Sequence, residues 1–514
     1  MSLQKPTLSF WQIINMNVGF FGIQYSFGLQ QSAVNPIYDF LGAKPDEIPW
    51  LNLAGPLTGL IVQPIIGALS DKTWHPRFGR RKPYFFIGAI MCSLALFFFP
   101  FSSSLWMAAG LLWILDAGNN TAMEPYRAFV ADKLPAEQQG LGFQSQSFFT
   151  GFGQTLANLS LFLFPLIIVG KTGKLPNWVF ASFIFGAVCS ITSVWWSMKT
   201  TPEIPPTEEE LAEMKAKPLN ILSPFKDVVS AIGSMPKVMW LLALVYLFQW
   251  YALFCYWQNS SKAVAENAFE WTSLNLTKAE DSTYNLYTTF KADLKTYAEN
   301  NNLDDKAILN DSIDAAAIYS AWKAKVNTVS LTEKDLATIS YIDANNKKYE
   351  QAVSWTGLVN GWYNIVTFLV AFILVGFAKR YSPKWVHTVC LIIAGIGFIA
   401  FSMVGNKYMF FPAITGFGIA WASMMGIPYL MVVSEIPKEK YGVYMGIINM
   451  MIVIPMFIQT ITFGYIMRHF LNNDSSKAIL FAGVLLLIAS LATLLIKSKK
   501  LTSEIMSQPA TGGH

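Results

Sequence analysis

A single carboxyl, Asp116, stands midway along an apolar stretch, with LLWIL before it and AGNNTA after it. A charge at that depth in a bilayer costs on the order of 2.5–3.5 kcal/mol on insertion scales, and burial favours the uncharged form. A group so placed suits the uptake and release of a proton, which makes Asp116 the candidate proton-coupling residue. The competing reading is a carboxyl tied to neighbouring amides that never titrates. At helical spacing Asp116, Asn120, Met123 and Arg127 follow in steps of four, three and four and share one face. Arg127 would lie about 16 Å along the axis from Asp116 at roughly 1.5 Å per residue. Two uses for it stand open: sensing Asp116 through water or substrate, or latching a cytoplasmic gate with Asp71, Glu124 or Asp132.

Amides supply the second kind of chemistry. Asn17, Gln24 and Gln31 recur at steps of seven, followed further on by Gln146, Gln154 and Asn158, then Gln249, Trp250 and Tyr251, then Asn360, Tyr363, Asn364 and Trp421. In lipid an amide without a partner wastes hydrogen bonds, so each should face a cavity or another helix. Amides hold hydroxyls and aromatic faces cover C–H surfaces, the two needs of a sugar. For any one residue, helix-to-helix contact is as good a reading as ligand contact. As a set they favour a neutral, polyhydroxylated substrate, since no Arg or Lys lies mid-span to hold an anion. The candidate substrate residues are Gln24, Gln31, Asn120, Gln154, Gln249, Tyr251, Asn360, Asn364 and Trp421.

The elements that must carry these groups are membrane helices. Of 514 residues, 53% are hydrophobic and 15% aromatic but only 13% charged, against about 25% in soluble domains; mean hydropathy is +0.38. Apolar runs of about 20 residues, the length that crosses a bilayer, predict an all-α membrane protein of twelve transmembrane helices in two six-helix pseudo-symmetric halves. Expected spans are 9–37, 47–70, 83–103, 105–130, 140–168, 176–198, 237–257, 353–379, 384–405, 407–434, 440–466 and 477–497. The N-terminal half is 1–198, a central cytoplasmic loop 199–236, helix 7 237–258, helices 8–12 353–500 and a cytoplasmic tail 501–514. Short segments on the side of the termini hold 21 Lys or Arg and those opposite hold 6, which predicts both termini cytoplasmic in an inner or plasma membrane. The start, MSLQKPTLSFWQ, lacks a basic n-region and cleavage site, so the first span is expected to stay uncleaved.

Between helices 7 and 8, residues 258–352 carry 24 charges in 95 positions, a composition suited to water. An extracytoplasmic helical insertion over 259–352 is expected from the helical spacing of TYNLYTTFKADLKTYAENN and DDKAILNDSIDAAAIYSAWKAKVN. Solvated cap and docking site for an unknown partner are its two readings; the triplets at Asn259, Asn275 and Asn310 are short enough to arise by chance. Net charge is only +5 with no basic stripe, so no nucleic-acid partner is expected. Cys92, Cys189, Cys255 and Cys390 lie in apolar segments without CxxC spacing, so neither metal nor disulfide framework is expected. The implied partners are the sugar and membrane lipid, and no cofactor beyond a co-transported proton is called for. No nucleophile and base pair, metal cluster or phosphate loop points to an enzyme.

PYRAFVADKLPAEQQG from Pro125 matches PYLMVVSEIPKEKYG from Pro428 after one gap, pairing Tyr126 with Tyr429, Asp132 with Glu435 and Gly140 with Gly442. Two halves so related suit a rocking transporter with its site between them. The loop GALSDKTWHPRFGRRKP offers Gly67 for close helix contact, Asp71 at a helix end, and Arg80 and Arg81 as basic anchors. This loop resembles the signature loop of the major facilitator superfamily. Its counterpart LVGFAKRYSPKW keeps Gly376, Lys379 and Arg380 but no acid.

Taken with AGPLTGLIVQPIIGALSDKTWHPRFGRRKP and LDAGNNTAMEPYRAFVADKLP, the chain resembles the plant sucrose/proton symporters and their animal and bacterial relatives in the glycoside and cation symporter group. The match is dense over about 20–140, thin in the C-terminal half and absent in 258–352. The resemblance implies a required pair of span-four Asp and an Arg eleven residues on, matched by Asp116 and Arg127. The gating set is then Arg127, Asp71, Arg80, Arg81, Glu124 and Asp132. Three departures stand out: LGAKPDEIPW lacks the family's His, span eight lacks its charged cluster, and Glu124 is an added acid. Span two has no acid before Asp71, where melibiose-type sodium symporters place an Asp pair, which argues against sodium coupling. His75, His387, His469 and His514 sit in loops, at span ends or in the tail, which argues against a histidine relay. The expected function is proton-coupled import of a glucose-containing disaccharide, sucrose or maltose, by alternating access. A sugar uniporter or exporter and a non-transporting sugar sensor are the alternatives.

Overall fold

The computed structural model describes residues 5–172, 175–216, 235–274, 332–432 and 441–496, with a few isolated positions between 230 and 284. Twelve helices of 17 residues or more lie within them: α1 Phe10–Phe40, α2 Ala54–Lys72, α3 Lys82–Phe98, α4 Leu105–Lys133, α5 Ala136–Ile167, α6 Asn177–Thr200, α7 Lys237–Ala268, α8 Glu333–Tyr381, α9 Pro383–Met403, α10 Phe410–Val432, α11 Tyr441–His469 and α12 Ser475–Leu494. Short helices Ile48–Leu51 and Glu208–Ala216, 3-10 turns Phe99–Phe101 and Lys407–Met409, and a two-stranded ribbon, β1 Lys171–Thr172 against β2 Leu175–Pro176, complete the described elements. The ribbon is a small departure from the all-α expectation. Nine described helices are long and apolar enough to cross a membrane; α1, α4 and α8 fall outside that set. Each of those three carries amides or charges among its apolar residues, which lowers hydropathy without shortening the helix.

Local chemistry sets the helix starts. Ser9 and Gln12 form a reciprocal capping box at α1, and Thr332 and Asp335 do the same at α8. Ser104 and Asp474 cap α4 and α12.

Packing divides the bundle in two. Within the first half α1 packs on α5 and α6, α3 on α4 and α6, and α2 on α4. Within the second, α7 packs on α11 and α12, α9 on α10 and α12, and α8 on α10. Adding six to each number maps one set onto the other. Three of the pairs that join the halves, α5 with α8, α2 with α11 and α1 with α7, also exchange with one another under that shift, and α1 touches α8 as well. Close approach within a half relies on glycine: a Cβ on Gly22 of α1 would lie 2.3 Å from Ser193 Oγ and 2.4 Å from the Cys189 carbonyl on α6.

Three expectations about elements change. Helix α7 runs on to Ala268 and residues 259–265 are buried, while α8 begins at Glu333, so both ends of the supposed 259–352 insertion are extensions of spans. A composition window reads the polar run NSSK as watery, although burial against neighbours is what decides. Gly67 and Gly376 meet nothing within 4 Å, so neither makes the close helix contact expected of Gly67. The middle of the second copy of the repeat (433–440 of 428–442), the segment 285–331 with Asn310, Asn275, and the tail 501–514 lie outside the described residues.

Replacing Gly22 with Ala should overpack the α1 and α6 contact by about 1–3 kcal/mol and lower the melting temperature of the purified protein. Gly67→Ala, where space is open, should leave it unchanged.

Candidate transport site

Asp116 is 1% exposed on α4. Its Oδ1 accepts from Gln30 Nε2 of α1 at 2.7 Å. One turn on, Asn120 donates to the Asp116 carbonyl and to Thr58 Oγ1 of α2, both at 3.0 Å, and accepts from Gln63 Nε2 at 2.6 Å. The polar centre of the first half is therefore built from α1, α2 and α4. Beside it Gln24 Nε2 reaches Met123 Sδ at 3.7 Å and Gln24 Oε1 accepts from Gln154 of α5 at 2.9 Å. Gln31 is half-buried, with no hydrogen bond to a described residue. The adjacent Gln30 makes the contact to Asp116. Steps of seven on a 3.6-residue helix pick out Gln24 and Gln31 as one stripe, and a stripe cannot reveal that α4 crosses beside it.

The second half arranges its candidates separately. Gln249 is buried and its Oε1 pairs with His387 Nε2 at 3.1 Å, while His387 Nδ1 pairs with Ser423 Oγ at 2.8 Å. His387 sits in the first turn or two of α9, yet it is fully buried, so a span-end position did not mean contact with the interface. Tyr251 bonds Thr462 of α11 at 2.8 Å. Trp421 meets Trp257 and Trp250 edge-on, with ring centres 5.5 and 5.8 Å apart. Asn364 donates to the Asn360 carbonyl at 3.0 Å. Asn360 itself links the halves: it accepts from Tyr256 at 2.8 Å and donates to Ser32 Oγ of α1 at 3.1 Å, and Ser32 in turn donates to Asn158 of α5 at 2.6 Å. The candidates thus form several clusters, with Asp116 and its amides on one side and an aromatic wall on the other. Phe254 of α7 and the Asp116 carboxyl both lie within 4.0 Å of where a Cβ on Gly55 would stand.

At the face where α1 ends, beside the β1–β2 ribbon and the last turns of α7, ionic contacts join the halves. Lys262 Nζ of α7 pairs with Asp39 Oδ1 of α1 at 2.6 Å, each side chain 6% exposed. Tyr349 of α8 also donates to Asp39. Lys171 of the ribbon pairs with Glu350 at 2.6 Å, and Ser354 donates to the Phe162 carbonyl at 3.4 Å. Asp39 lies just past the expected first span and Lys262 within the expected water-suited insertion; folding buries them together instead. An Asp and a Lys 223 positions apart leave no local signal.

At the opposite face the acid and basic candidates gather inside the first half. Arg81 is 5% exposed; it pairs with Asp132 at 2.9 Å and Asp71 at 2.6 Å and donates to Ser70 Oγ at 2.7 Å. Burial works against its charge, but the two carboxylates outweigh it and hold the guanidinium above its ordinary range. Arg80 pairs with Asp71 at 3.3 Å. Arg127 pairs with Glu124 on its own helix at 3.2 Å, one of its three proposed partners, while Asp71 and Asp132 are engaged by Arg81. Sequence reading missed Glu203, which accepts from the backbone N–H of Arg80, Arg81 and Lys82 at 2.7, 3.0 and 2.9 Å. Gly79 has φ +80°, and a Cβ there would lie 2.5 Å from Glu203. Only glycine satisfies both the left-handed turn and the approaching carboxylate.

The four cysteines are unpaired, and no cluster of metal-ligating side chains occurs among the described residues.

Two helical halves meeting around a polar centre and a latched face have the build of a solute transporter. The chain belongs to the Major Facilitator Superfamily, whose model matches residues 16–274, about half of it. It is 28% identical over 179 residues to a sucrose transport protein of Arabidopsis thaliana, covering 30% of this chain and 28% of that one. It is 26% identical over 272 residues to a sucrose transport protein of Oryza sativa subsp. japonica, covering 46% and 50%. The chain thus spans half or less of these curated relatives. Among solved structures, a nucleoside transporter superposes with TM-score 0.62 at 11% identity over 95% of this chain and 99% of that one. The xylose transporter of E. coli gives 0.55 at 11% over 96% and 99%, so the fold is shared almost end to end.

Removing one partner of the buried pair, by Lys262→Met or Asp39→Asn, should weaken closure of that face by about 3–5 kcal/mol, since the other charge stays buried. The double variant should recover much of the loss. Thiol labelling of a cysteine introduced at Ser32 reads the opening.

Proposed function

We propose that the chain is a proton-coupled symporter of a neutral disaccharide of the sucrose or maltose type, working by alternating access through twelve spans with both termini cytoplasmic. The observation that carries this reading is Asp116: a carboxyl 1% exposed, held by an amide and with no cation beside it among the described residues. A permanent carboxylate there would call for a positive partner, so a group that alternates between charged and neutral fits the site better. The substrate class rests on the amides and tryptophans around the centre and on the sucrose transport proteins that the chain is similar to. With the start of α1 on the cytoplasmic side, its Asp39 end lies outside, so the buried pair of Asp39 and Lys262 closes the outer face, which corresponds to an inward-facing state.

In the proposed cycle the outer latch opens and sugar enters between α1, α4 and the wall of Trp257 and Trp421. Protonation of Asp116 removes the cost of moving a bare charge as the halves rock. Sugar and proton then leave on the other side, and the emptied halves return. In this reading Arg81, Asp71, Asp132 and Glu203 keep the first half rigid at its cytoplasmic rim, and Arg127 with Glu124 lies on the exit path below Asp116.

In proteoliposomes with an acidic outside, labelled sucrose or maltose should accumulate and fall back when the gradient is dissipated. Asp116→Asn should lose accumulation by tenfold or more while keeping equilibrium exchange. Uphill uptake by that variant would rule the mechanism out.

A further inference from the structure

Three side chains with no role in the cycle above run in a line to Asp116. Gln30 Nε2 of α1 donates to Asp116 Oδ1 at 2.7 Å. Gln30 Oε1 accepts from Asn119 Nδ2 of α4 at 3.5 Å, and Asn119 Oδ1 accepts from the thiol of Cys92 on α3 at 3.1 Å. The Cys92 thiol also has the Leu115 carbonyl at 3.6 Å, but Asn119 is the nearer acceptor, and with its hydrogen there every donor in this chain points towards the carboxyl. A primary amide has one donor end and one acceptor end, so occupying the acceptor end of Gln30 turns its NH2 to Asp116. Cys92 and Asn119 are fully buried, so water does not compete for the far end.

We propose that Gln30 is the positioning residue of Asp116, oriented by Asn119 and Cys92, and that by holding Oδ1 it directs the proton to Oδ2. Oδ2 is buried and makes no hydrogen bond to a described residue. It lies 3.8 Å from the position of a Cβ on Gly55, with the Phe254 ring 4.0 Å from the same point. This oxygen therefore sits at the seam of α2 and α7, where the halves part. On protonation an O–H bond forms at Oδ2 and the carboxylate becomes neutral; on release that bond breaks and the charge returns. The bond from Gln30 is stronger to the charged form, so it favours release. The titratable groups facing Asp116 are Tyr38 from α1 and Cys92 from α3; α2 presents Gly55 and Thr58 and α7 presents Phe254, none of them charged.

The inference rests on the proton-coupled reading, and one experiment separates the two. Gradient-driven uptake of sucrose and maltose by the full chain in proteoliposomes is followed against pH for wild type, Gln30→Met, Cys92→Ala and Cys92→Ser. In Gln30→Met the pH of half-maximal uptake should move about one unit towards alkaline, because the ionised form has lost its donor, and the maximal rate should fall. Cys92→Ala should move less in the same direction, and Cys92→Ser, which keeps a donor, should restore the wild-type midpoint. Uptake lowered equally at all pH values in Gln30→Met, or in Cys92→Ala should Gln30→Met not fold, overturns the positioning role. A wild type indifferent to the gradient overturns the coupled reading itself, before any variant is considered.

Discussion

A polar group in a bilayer finds its partner within the protein, on its own helix or another, or stays unsatisfied at a cost. That constraint organises this bundle. Asp116 could not stand midway along α4 unless α1 brought Gln30 within 2.7 Å, and Asn120 could not follow it unless α2 supplied Thr58 and Gln63. The helix crossings of the first half are thereby tied to the needs of a few buried groups. Apolar contact adds tightness, as where Gly22 lets α1 lie against α6.

Charge is handled differently at the two ends. At one face a buried Lys262 and Asp39, with Tyr349 as a third group, join α1 to α7 and α8. A pair like this contributes little net stability against an apolar alternative, but breaking it is costly, which suits a contact that must be either fully made or fully hydrated. At the other face Arg81 binds Asp71 and Asp132 inside one half, and Glu203 ties the start of the central linker to the N-terminus of α3. One set of contacts joins the halves and the other stiffens a single half. The same residue chemistry thus serves motion in one place and rigidity in another.

How far the chain could be read in advance follows from the range of each interaction. Helix existence depends on the nearest four residues and on bulk hydropathy, so α1 to α12 lie close to the expected spans. The outlying cases, α7 and α8, extend into water-like sequence because residues 259–265 and Tyr349 are buried by neighbours distant in the chain. Within the site, Asp116 was legible because a carboxyl among leucines is conspicuous. Gln30 was not, since Gln31 fits the seven-residue stripe and a stripe says nothing of what crosses it. The candidates Gln249 and Gln24 were visible as amides in apolar helices, but whether each meets His387, Gln154 or a ligand is a matter of packing.

Composition and periodicity alone determined that this chain spans a membrane, that its polar residues concentrate on a few helices, and that one carboxyl lies deep among them. These follow from solvent transfer and helical geometry, which act along the chain. Tertiary structure decided which amide faces that carboxyl, which charges are buried together, and where the two halves hold each other. Those depend on contacts across as many as 328 positions of sequence, and no local rule reaches that far.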